Sequence, residues 1–96
     1  MDRNITKNEK LLAVIRDRNN LIFQGSVEAV SSLNDKGLFD VLPQHANFIT
    51  LIKKFVTVHL PDKQEKRIEL ESGVLKVREN NVEVYLGILV TGKANT

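Results

Sequence analysis

Two stretches decide the fold: Phe39-Asp-Val-Leu-Pro-Gln-His-Ala-Asn-Phe-Ile-Thr-Leu51 and Glu71-Ser-Gly-Val-Leu-Lys-Val-Arg-Glu-Asn-Asn-Val-Glu-Val84. In the first, a short apolar run is stopped by Pro43, which has no amide proton to give to a ladder. A run rich in β-formers follows, Phe48 to Phe55. Phe48, Ile52 and Phe55 would share a helical face, but the composition favours a strand, and a strand is expected here. In the second stretch, Val74 to Arg78 and Val82 to Leu86 alternate apolar with polar residues. That is the period of a half-buried strand, and Glu79-Asn-Asn81 is turn chemistry between the two.

The same reading extends outward. Lys10-Leu-Leu-Ala-Val-Ile-Arg16 is an apolar run of strand length with apolar residues pointing both ways, as in a strand covered on both sides. Asp17-Arg-Asn-Asn20 is a turn. Leu21 begins a strand in which Gly25 suggests a bulge, with Ser26 to Leu33 continuing beyond it. A long strand broken in this way can serve two layers. Asn34-Asp-Lys-Gly37 is a second turn, and Leu38 to Leu42 a short strand. Val56 to Leu60 alternates, Pro61-Asp-Lys-Gln64 closes a hairpin, Arg67 to Glu71 alternates, and Ser72-Gly73 reads as the next turn. Many short strands with turns every 8–12 residues or so make an all-β sandwich or barrel.

Composition narrows the class of function. Ninety-six residues, 42% of them hydrophobic, suffice for one modest core and one domain. Basic and acidic residues are interleaved, 14 against 12, and aromatics make up 5%. A single-strand nucleic-acid platform needs a basic surface with exposed aromatics, so nucleic acid is not an expected partner. There is no cysteine, hence no disulfide framework and no thiolate metal site. No apolar run approaches the roughly 18 residues that span a bilayer, and Met1-Asp-Arg-Asn4 does not open a signal peptide. A protein without direct membrane insertion is expected. Residues 1–9 are expected to be flexible, 10–90 to form the domain, and 91–96 to be a disordered tail.

No residue set reads as reactive. His45 and His59 lack the three or four ligands of a zinc site and the partners of a nucleophile. His59 is expected on the outward face of its strand. His45 is expected in a loop, fixing backbone geometry or touching a partner. Glu65, Glu69, Glu71, Glu79 and Glu83 alternate with Lys66, Arg67, Lys76 and Arg78, the pattern of cross-strand ion pairs on a solvated face. There is no glycine-rich phosphate loop. Phe39, Phe48 and Phe55 read as core. If Phe48 and Ile49 lie on a strand, at least one of them points out, and an exposed apolar pair there would mark a protein contact; for either residue alone, core burial is the expectation. No catalytic, cofactor-binding or metal residue is expected, and the chain reads as a binding module.

Three segments, in this order, resemble the N-terminal β-sandwich of the rotary ATP synthase epsilon subunit, called delta in mitochondria. Phe23, Gly25, Val27 and Val30 match its second-strand pattern. Pro43, His45 and Ala46 match its central Gly-hydrophobic-hydrophobic-Pro-Gly-His-Ala motif. Gly73, Val77, Asn81, Val82 and Val84 match its late hairpin. The match covers roughly Leu11 to Ile88.

The resemblance implies a flattened two-sheet β-sandwich of about ten strands. It implies a non-catalytic central-stalk rotor subunit of a proton- or sodium-translocating ATP synthase, coupling the gamma subunit to the c-ring. It would sit peripherally at the cytoplasmic face of the energy-transducing membrane. By position, Pro43, His45, Ala46, Phe48, Ile49 and Thr50 would face gamma, and Asn34, Asp35, Lys36, Gly37 and Leu38 the c-ring. The chain departs from the family in three places. Asp40, Gln44 and Ser72 stand where glycines are usual, so the backbone at Asp40 and Gln44 must avoid glycine-only dihedrals or Gln44 must bear strain. The sequence also stops short of the family's C-terminal helical hairpin: if it is natural at this length, no nucleotide binding and no inhibition of hydrolysis are expected, and if it is a piece of a longer protein, the whole protein could have both. The competing expectation is a stand-alone β-sandwich interaction module, taking a peptide on an edge strand.

Overall fold

The structure, a computed structural model, describes residues 10–87. The flexible segment expected over residues 1–9, the tail 91–96 and the last three residues of the expected domain lie outside that range. Seven strands follow one another: β1 (Leu11–Arg16), β2 (Leu21–Val27), β3 (Ala29–Asn34), β4 (Gly37–Val41), β5 (Phe48–His59), β6 (Glu65–Arg78) and β7 (Asn81–Leu86). They form one mixed sheet in the order β2-β1-β7-β6-β5-β3-β4, with β1 and β7 parallel and all other neighbours antiparallel.

The all-β class is as expected. Ten strands in two separate sheets are not found: the described residues form seven strands in one sheet. The difference lies in β5 and β6, which run unbroken for 12 and 14 residues and carry hydrogen bonding from one layer into the next. The first half of β5, with the second half of β6, belongs with β7, β1 and β2. The second half of β5, with the first half of β6, belongs with β3 and β4. Fourteen buried aliphatic residues drawn from all seven strands make a single core, and Val30 and Val41 at the far side are fully buried within it. Since the described residues contain no helix, what covers the inner face of one half is the other half.

The bend sits where the turn at Ser72-Gly73 was expected. No turn occurs there. The ladder pairs Lys53 with Ser72 and Lys54 with Leu70, so Glu71 has no opposite residue, and Lys54 has a φ of 75°. This is a β-bulge, which bends and twists its strand. It also switches the facing of β6. Ile68 and Leu70 pack inward before it, whereas Gly73, Leu75 and Val77 are buried after it. A strict alternation cannot satisfy both sets. Gly73 is fixed by contact: a Cβ there would lie 2.8 Å from the Tyr85 carbonyl oxygen and 3.5 Å from Ile52 Cγ1.

Three smaller readings change. Gly25 pairs regularly with Ala13, and the interruption comes at Glu28, whose amide bonds the His59 carbonyl at 2.7 Å. The strand is divided between layers as expected, three residues later. β1 is covered on one face only: Leu11, Ala13 and Ile15 are buried, but Leu12 is exposed. Phe48 to His59 is one strand, not two.

The turns are built locally. Asp17 Oδ1 accepts the amides of Asn19 and Asn20 at 2.9 and 2.7 Å, and these bonds hold its carboxyl below the ordinary range. Glu79 and Asn80, at φ of 49° and 65°, form the two-residue type of hairpin that follows the strand twist.

Two changes test the bulge. Gly73→Ala should lower stability by about 1–3 kcal/mol in denaturant unfolding, through overpacking against main chain. Deletion of Glu71 should abolish the cooperative transition in the same experiment, because it turns Ile68 and Leu70 outward.

Candidate functional site

Pro43 ends β4, and the chain from Leu42 to Asn47 crosses to β5 as a short loop. The loop is tied down at both ends to the β6–β7 turn. The Gln44 amide donates to Asn80 Oδ1 at 2.7 Å, and the Glu79 amide donates to Asn47 Oδ1 at 2.9 Å. The His45 amide closes the turn on the Leu42 carbonyl at 3.1 Å. Gln44 has a φ of 70°, so of the two alternatives set by the missing glycine it is the strained one that holds there. Asp40 lies within regular β4 and has an ordinary φ.

His45 is exposed, as a loop residue, and its ring is ordered from two sides. Nδ1 lies 2.8 Å from the Ala46 carbonyl, which can only accept, so Nδ1 carries a proton. The ring stands 4.9 Å from that of Phe48, which in turn meets Phe39 edge-on at 6.1 Å. Phe48 and Phe39 are half-buried against the core, as their core reading required. Ile49, by alternation, points out and is 64% exposed; Leu51 follows at 54%, and Leu42 in the loop at 55%. An open groove of about 390 Å³ runs between Phe48-Ile49 and Lys76 to Glu79. Pro43, His45, Ala46, Phe48, Ile49 and Thr50 thus form one continuous corner, in which Thr50 is half-buried on the inner side.

The second expected set forms the tip of the β3–β4 hairpin. Asn34 Oδ1 accepts the Lys36 amide at 2.8 Å, Gly37 has a φ of 122°, and Leu38 is 76% exposed. The two sets meet. Asn34 Nδ2 donates to Thr50 Oγ1 at 3.1 Å, and Asp35 lies 3.6 Å from Lys53 Nζ. Nothing in the sequence signalled that junction, because the residues are 16 and 18 positions apart.

His59 corrects an expectation. It is not freely exposed on an outward face but half-buried, with Nε2 at 2.8 Å from Ser31 Oγ and Nδ1 at 3.3 Å from Glu65 Oε2. The reason is that β3 and β6 flank β5 here, and their side chains close over the ring. Ser31, His59 and Glu65 have the connectivity of a nucleophile, base and orienting acid, yet the geometry works against that use. Ser31 Oγ gives its single proton to Asp40 Oδ1 at 2.5 Å, so His59 Nε2 is the donor in its own contact with Ser31. Ser31 sits mid-strand with ladder partners on both sides, Asp40 and Thr57, where main-chain amides are committed and cannot stabilise an oxyanion. The chain of bonds is a clasp across β4, β3, β5 and β6.

The outer charges pair partly as expected. Glu65 reaches across to His59, but Arg67 bonds Glu69 on its own strand at 3.0 Å and lies 4.1 Å over the Phe55 ring. Tyr85 donates to Glu83 Oε1 at 3.1 Å. Burial first, and then Glu83, push its phenol above the ordinary value, so it stays protonated.

With this geometry in place, comparison with known proteins identifies relatives of the chain. Residues 12–90 match the sequence model of the ATP synthase, Delta/Epsilon chain, beta-sandwich domain. Over 61 residues the chain is 39% identical to an ATP synthase epsilon chain from a Nitratiruptor species, covering 62% of this chain and 47% of the relative. The chain therefore spans about half the length of that curated relative. Its fold is similar to a chain of the Euglena gracilis mitochondrial ATP synthase OSCP/F1/c-ring structure in rotational state 1. The TM-score there is 0.75 at 15% identity, over 80% of this chain and 50% of the other. It is also similar to a chain of the Tetrahymena thermophila mitochondrial ATP synthase central stalk/c-ring structure, with a TM-score of 0.68 at 9% identity, over 88% and 69%.

The strain at Gln44 is open to measurement. Gln44→Gly should raise stability by about 1 kcal/mol, through relief of a left-handed non-glycine residue, as read by thermal unfolding.

Proposed function

The chain belongs to the beta-sandwich domain family of ATP synthase delta and epsilon chains, and on that premise we propose that it is a non-catalytic rotor subunit of the central stalk. In this role it couples the gamma subunit to the c-ring of a proton- or sodium-translocating ATP synthase. It works peripherally, at the cytoplasmic face of the energy-transducing membrane. Among the described residues no helix is long and apolar enough to cross a membrane.

The observation that carries the reading is the family match over residues 12–90, together with the apolar corner it contains. An exposed row of Leu42, Ile49 and Leu51, adjoining an ordered histidine, suits a protein partner. Gamma is assigned to the corner Pro43, His45, Ala46, Phe48, Ile49 and Thr50. The c-ring is assigned to the hairpin tip Asn34, Asp35, Lys36, Gly37 and Leu38. A coupling element transmits torque through shape and needs no reactive group. Packed interiors have low compressibility and pass strain on, and here the two contact sets are bonded to each other, and the loop of the corner to the β6–β7 turn.

The test is co-expression with the gamma subunit of the same organism, followed by size-exclusion chromatography. A one-to-one complex is expected, and His45→Glu should weaken it by about tenfold or more, or about 1.4 kcal/mol. Unchanged gamma affinity in that variant would remove the corner from the interface. Separate elution, with the c-ring also failing to recruit the chain, would leave a stand-alone interaction module.

A further inference from the structure

The sheet has several open edges, and one is unlike the rest. The first half of β6 is lined by Glu65, Lys66, Arg67 and Glu69, and edge charges discourage a further strand. β4 has five residues, with Asp40 among them, and Pro43 follows closely. β2 carries Gln24 and then Gly25 at its centre, and a glycine weakens a strand interior. Phe48 to Ile52, by contrast, is five uncharged β-formers in succession, with no proline or glycine. β3 pairs with β5 only from Val56 to His59. Among the described residues, then, Phe48 to Lys53 has β6 on one side and no strand on the other. What reaches in is side chains of the β3–β4 hairpin: Asn34 to Thr50, Asp35 to Lys53 and Phe39 to the Phe48 ring.

The ladder fixes which main-chain groups point outward. The Ser72 carbonyl accepts from the Gly87 amide, so the main chain of Ser72 faces β7. Alternation then turns Gly73, Leu75 and Val77 toward β5, where they exchange bonds with Ile52, Thr50 and Phe48. The amides and carbonyls of Ile49 and Leu51 are aimed at the open edge, where the Leu51 carbonyl accepts the Thr50 hydroxyl of its own strand at 3.2 Å. These are also the two residues whose side chains are exposed. An unprotected apolar edge of this kind is a template for strand addition.

We propose that the partner of this corner docks by adding an extended strand of its own to the Phe48–Lys53 edge, bonding the main chain of Ile49 and Leu51. This rests on the gamma reading above and states how that contact is made. The chemistry of the incoming strand follows from its surroundings. Its outward side chains lie beside Ile49 and Leu51 and are apolar.

The experiment compares Leu51→Ala with Leu51→Pro in binding to the gamma subunit of the same organism. Alanine removes the apolar contact and keeps the amide. Proline also removes the amide, which β6 does not use, so the ladder tolerates it. Proline is expected to bind about tenfold more weakly than alanine, the order expected for one lost main-chain bond. Amide exchange on the unsubstituted chain gives a reading that does not depend on how the variants fold: the Ile49 and Leu51 amides should slow when gamma is bound. Equal affinity of the two variants, or exchange at those amides unchanged in a complex that does form, overturns strand addition while leaving the gamma assignment standing. Failure of the unsubstituted chain to bind gamma overturns that assignment and this occupant together. Protection that rises with the concentration of the chain alone assigns the edge to a second copy, and overturns the proposal.

Discussion

One unmatched residue organises this molecule. Glu71 has no partner across the ladder, and the strand that contains it therefore presents one face before the bulge and the other face after it. With the alternation switched, a single continuous sheet can turn both of its halves toward the same interior. Burial of Val30 and Val41 from one half and of Leu11, Ala13 and Ile15 from the other depends on that switch. So does the open edge at Phe48–Lys53, because β5 leaves the neighbourhood of β3 at the same point. The core supplies the bulk of the favourable free energy through apolar burial, but it forms only if the bend is in the right place.

The sequence carries much of this, and the physical signals are uneven. Alternation is a strong local signal, and it places β7 and the second half of β5 within a residue or two, while an apolar run of strand length places β1 and the stop at Pro43 places β4. Turn chemistry is equally local, as at Asp17 and at Glu79-Asn80, where short polar side chains and left-handed residues set the geometry by themselves. Ser72-Gly73 misleads because a glycine after a serine marks a turn and a close backbone approach equally well. What separates the two is the Tyr85 carbonyl 2.8 Å from the position of a Cβ, which belongs to another strand. Gly25 misleads for the converse reason: it pairs regularly opposite Ala13, and a Cβ there would meet the Phe23 ring at an ordinary 3.5 Å, so neither a bulge nor a close approach requires it. Strand number is likewise a tertiary fact. Whether two alternating segments are two strands or one depends on whether the hydrogen bonds continue between them.

The candidate site divides in the same way. The outward facing of Ile49 follows from a two-residue period once the segment is a strand, and the loop position of His45 follows from Pro43. The bonds from Asn80 and Asn47 that hold that loop do not, since they join residues 36 and 32 apart. The Ser31–His59 contact is of the same kind, and only the ladder register across β3 and β5 brings it about. Sequence therefore points to the surface, and topology supplies its stiffness.

The long β5–β6 ribbon has a mechanical meaning as well. Its twelve register pairs run from Phe48, at the apolar corner, to His59, at the far layer. A pull along β5 at the corner enters this ribbon parallel to its strands, so its hydrogen bonds take the load together and slide only if many fail at once. A pull at right angles would open them one after another, as a zipper opens. The direction in which the corner is loaded therefore decides whether the same ladder behaves as a stiff strut or as a seam.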